Sequence, residues 1–123
     1  MKLNGNNIYM KGSVLPVALE IEGLSPEIDI SQPQADLRVT FYTVDACTGT
    51  RMGSKSLTLS LANDDDKFRS TEEYNVFAAM VDTAALDVGR LAGEVSFDVD
   101  DELTALPLKP IVPFLTDYFI KSW

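Results

Sequence analysis

The side chains with the most chemical potential in this sequence are its carboxylates, and they come in two runs. Asn63-Asp64-Asp65-Asp66 gathers hard oxygen donors of the kind calcium prefers, but glycine is absent from the sixth position of an EF-hand loop and Phe68 falls where an oxygen ligand is required. The second run holds Asp98, Asp100, Asp101 and Glu102, with Asp98 and Asp100 on one face of an extended chain, an arrangement suited to adventitious cations only. No specific metal site is expected. A glycosidase pair needs two carboxyls across a cleft with a sugar platform beside them, and no aromatic platform surrounds either run.

Nucleophilic chemistry is equally poorly served. Cys47 is the single cysteine, so it forms no intrachain disulfide, and the absence of histidine removes the imidazole that would activate it. GxSxG, Walker A and GxGxxG patterns are missing, and Lys11-Gly12-Ser13 lacks the preceding glycine of a phosphate loop. A non-enzymatic protein without cofactor is expected.

What remains is recognition by surface. The aromatic residues near the carboxy end, Phe114, Tyr118, Phe119 and Trp123, carry a large apolar payload. Alternation sends Phe114, Tyr118 and Ile120 one way and Leu115 and Phe119 the other, so either both sets are buried in a central strand or one is an interface anchor. Two proline-marked stretches, the strand bearing Pro16 and the segment from Lys109, are candidate sheet edges where another chain can dock. The candidate interface residues are therefore Pro16, Phe114, Tyr118 and Trp123.

Elements must position these residues, and the pattern of the chain is that of strands. Leu15, Val17, Leu19 and Ile21 alternate with outward residues; Leu37, Val39 and Phe41 do the same; Ser56 to Leu61 sets three leucines against three hydroxyls. Tyr74 to Val81 is a buried strand, Leu91 to Val99 another, Phe114 to Ile120 the last, and Ile8 to Met10 a short first one. Gly23 to Gln34 is a long connection with a short extended piece at Ile28 and Ile30. Between Val81 and Leu91, Asp82 or Thr83 can cap one helical turn, Leu86 can anchor it, and Gly89 can end it in a left-handed conformation. Seven strands and at most one helical turn in 123 residues predict a single all-β domain over 1–123: a seven-stranded antiparallel immunoglobulin-like sandwich of Greek-key order, with a small barrel as the alternative.

Charge narrows the partners. Ten Lys and Arg against nineteen Asp and Glu leave a net charge of -9, with no basic cluster, so nucleic acid is repelled. No apolar run approaches the ~18 residues of a membrane span, and the first residues lack the apolar core of a secretory signal.

Val81-Asp82-Thr83, Leu86 and Gly89-Arg90-Leu91, followed by Val99-Asp100-Asp101 and Thr116-Asp117-Tyr118-Phe119-Ile120, resemble the small β-sandwich structural proteins of tailed bacteriophages, particularly those of Bacteroides-type hosts, including crAss-like phages. The resemblance follows strand order over residues 8 to 120. It departs at Leu103-Thr104-Ala105-Leu106-Pro107, where such domains often carry a proline and Gly-x-Arg. It implies a virion component assembled in the host cytoplasm: a head auxiliary or decoration protein, or a fibre or tail adaptor, in contact with capsid or tail proteins and present in many copies or as a homo-oligomer. The residues alone also permit a bacterial β-sandwich module that binds a carbohydrate or a protein.

Overall fold

The computed structural model describes residues 8–21, 36–63, 66–73, 76–101, 106–108 and 111–122. Its strands are β1 (Ile8–Met10), β2 (Val14–Glu20), β3 (Arg38–Val44), β4 (Leu57–Ser60), β5 (Phe68–Ser70), β6 (Val76–Asp82), β7 (Gly89–Ser96), β8 (Val99–Asp101), β9 (Leu106–Leu108) and β10 (Ile111–Lys121). Five strands form one sheet in the order β1-β10-β7-β3-β4, and three form a second in the order β2-β6-β5. The strands β8 and β9 pair separately as a two-stranded ladder between β7 and β10.

Alternation explains how the two sheets close on each other. In β2, Leu15, Val17 and Leu19 are buried while Val14, Pro16, Ala18 and Glu20 are exposed; in β6, Phe77, Ala79 and Val81 are buried. Across the sandwich they share one core with Val39, Phe41, Leu91, Val95 and Ile120 of the larger sheet. The largest fully enclosed side chains include Phe41, Phe68 and Phe77. Burial of each such ring contributes about 1.5–3 kcal/mol.

The structure differs from the sequence expectation in several places: the strand expected over Leu91 to Val99 ends at Ser96, and Val99–Asp101 pairs instead with Leu106–Leu108. The main sheets hold eight strands rather than seven, because Phe68–Ser70 adds β5 alongside β6. The larger sheet is mixed rather than antiparallel: β1 runs parallel to β10, with Ile8 beside Phe119 and Met10 beside Lys121. No hairpin joins β1 to β10, so no turn imposes an antiparallel sense. The Lys11–Ser13 turn instead carries the chain from β1 straight across to β2 in the other sheet.

The helical turn occurs where expected, as a single turn of 3-10 helix at Thr83–Ala85. The Asp82 carboxylate caps it by accepting from the Ala84 N–H at 3.0 Å, and Leu86 behind it is fully buried. Gly89 does not end this turn; Leu86 does. Gly89 opens β7 with φ 142°, and a Cβ there would come within 2.9 Å of the Val44 carbonyl oxygen. The extended piece expected at Ile28 and Ile30 lies outside the described residues.

Candidate functional site

Among the described residues, the outer faces of the two sheets carry several exposed apolar side chains, while Val112, on the other side of β10, and Ile8 of β1 are exposed as well. On the three-stranded sheet, the register sets Pro16 beside Met80 and Ala18 beside Ala78, with Val14 next to Asp82 at one end and Glu20 next to Val76 at the other. Val14 is 52% exposed and Met80 42%. Side chains of neighbouring strands on one face lie within contact distance, so these residues form a continuous apolar strip. Lys67 and Arg69 are cations of this face, Arg69 opposite Ala78 and donating to the Asp66 and Phe68 carbonyls at 2.7 and 2.8 Å, and Glu20 and Asp82 close its two ends.

The outer face of the five-stranded sheet is built differently. Ile111, Pro113 and Leu115 line it along β10, beside Ser96, Glu94 and Ala92 of β7. Ile111 is 61% and Leu115 56% exposed. Across β7 lie Arg38, Thr40 and Tyr42 of β3, and then Thr58 of β4, whose hydroxyl is 3.0 Å from that of Thr40. The Arg51 guanidinium stacks over the Tyr42 ring at 4.7 Å from its centroid, and Arg38 at the far end of β3 pairs with Asp36 at 3.2 Å. Glu94 is exposed midway between them.

Of the four residues singled out from sequence, the structure places three. Pro16 is exposed on β2, an edge strand of its sheet. Phe114 and Tyr118 are half-buried and lean on the core: Phe114 meets Phe41 edge-on at 5.8 Å, and Tyr118 meets Tyr9 edge-on at 5.9 Å. Gly93 makes room for the Phe114 ring, since a Cβ there would stand 2.6 Å from its Cζ. Trp123 lies outside the described residues. Pro16 therefore shares its face with Met80, whereas Phe114 and Tyr118 face away from the strip on β10. The outward members of β10 are Ile111, Pro113 and Leu115, and carrying the alternation from Phe114 back to Ile111 is the signal that finds them.

Part of β10 is also open along its edge. Among the described residues, β1 pairs only with Phe119–Lys121, so Ile111–Leu115 have β7 on one side and no strand on the other. Pro113 has no N–H to offer there, which blunts backbone pairing and leaves the side-chain face as the apolar contact surface.

The acidic and thiol candidates serve local structure. The Asp66 carboxylate accepts from the Ser60 N–H at 2.8 Å and so ties the loop back to β4, while Asp64 and Asp65 lie outside the described residues. Asp45 accepts from the N–H groups of Cys47 and Thr48 at 2.8 and 3.0 Å, and these bonds, that from Thr48 foremost, hold its carboxyl below its ordinary pKa. Cys47 is exposed in that turn. Among the described residues, no group of three or more Cys, Asp or Glu side chains is placed to hold a metal ion, and no helix is long and apolar enough to cross a membrane.

One polar residue that sequence reading treated only as a cap is fully buried. The Thr83 hydroxyl donates to the Ser13 carbonyl at 2.6 Å and accepts from the Gly12 N–H at 3.0 Å, locking the end of β6 to the β1–β2 turn. Comparison of the chain with protein-family models, curated proteins and solved structures returns no match.

Proposed function

We propose that this chain is a non-enzymatic structural protein of a tailed-phage particle, a head auxiliary or decoration protein or a fibre or tail adaptor, acting through protein–protein contacts. The observation that carries the reading is the pair of outer apolar strips, with Val14 and Met80 on one sheet and Ile111 and Leu115 on the other. A small sandwich gains nothing in its own core from such residues, and exposed apolar patches of this kind mark surfaces that another protein covers. The strand order β1-β10-β7-β3-β4 over β2-β6-β5 supports the immunoglobulin-like Greek-key form of the sandwich, in which successive strands cross repeatedly between sheets. Fold alone assigns no activity, so the weight rests on the two strips and on the likeness of residues 81–91 and 116–120 to phage domains.

The test is mass measurement by light scattering, with the protein alone and mixed with capsid, tail and fibre proteins encoded beside it. A defined stoichiometric complex with one of them is the expected result. A protein that ignores every particle component, and instead binds on a glycan array, belongs to the carbohydrate-binding module class.

A further inference from the structure

We draw no further inference here: the strongest candidate, the outer apolar strip of Val14, Pro16 and Met80 on the three-stranded sheet with its counterpart of Ile111, Pro113 and Leu115 along β10, carries nothing more because nothing in the structure shows what covers either strip.

Discussion

Thr83 joins the end of β6 to the β1–β2 turn through one hydroxyl. With Thr83→Val the shape is kept, but the Ser13 carbonyl loses its 2.6 Å donor and the Gly12 N–H its acceptor. Loss of about 1–3 kcal/mol is expected in urea unfolding, with most of it restored by Thr83→Ser. A wild-type midpoint for the valine variant would show the lock to be idle. Gly93→Ala tests a different constraint, because the new methyl would meet both the Thr40 carbonyl oxygen and the Phe114 ring. Overpacking of about 1–3 kcal/mol is expected, accompanied by loss of the edge-on Phe41–Phe114 contact in aromatic NMR shifts. For Asp45 the prediction concerns pH. Its folded pKa lies below the ordinary 3.8, so its contribution is present above that value and is lost as pH falls through the lower, folded value. A carboxyl titration followed by NMR should give a midpoint below 3.8; a midpoint at or above it would mean that the turn does not hold in solution.

Among the elements, β10 depends on a bulge. Leu115 pairs with Ala92 and Phe119 with Arg90, so Thr116, Asp117 and Tyr118 lie opposite Leu91 alone. Two extra residues leave the alternation intact, which keeps Ile120 in the core. Thr116 organises the irregularity by donating to the Leu91 carbonyl at 2.7 Å and accepting from the Tyr118 N–H at 3.1 Å. Thr116→Val should cost about 1–2 kcal/mol and speed hydrogen exchange at the Tyr118 amide. Asp117→Asn should change stability by less than about 0.5 kcal/mol, because the Asp117 carboxylate that meets Arg90 is 83% exposed. Equal losses in the two variants would place the bulge's support in the ion pair instead. Strands such as β2, β3 and β4 were legible because one wet and one dry face leave a period of two. The 3-10 turn was legible through Asp82 and Leu86. Phe68-Arg69-Ser70 carries one apolar residue and no period, so β5 was not. Nor could local pattern reveal that β1 lies parallel to β10, since alternation says which face a residue takes and nothing about which way a distant partner runs.

For the molecule as a whole, the absence of histidine is a physical property as well as a missing chemistry. Histidine is the side chain whose ordinary titration falls between pH 5 and 8, and the chain has none. The net charge therefore stays close to -9 across the neutral range. Stability follows the difference in protons bound by the unfolded and folded chains, and without histidine that difference stays small near neutrality. Unfolding free energy measured in urea is accordingly expected to be flat between about pH 6 and 7.5, within about 0.3 kcal/mol. A slope larger than that would mean that a group other than a side chain, such as the α-amino group, changes its protonation on folding.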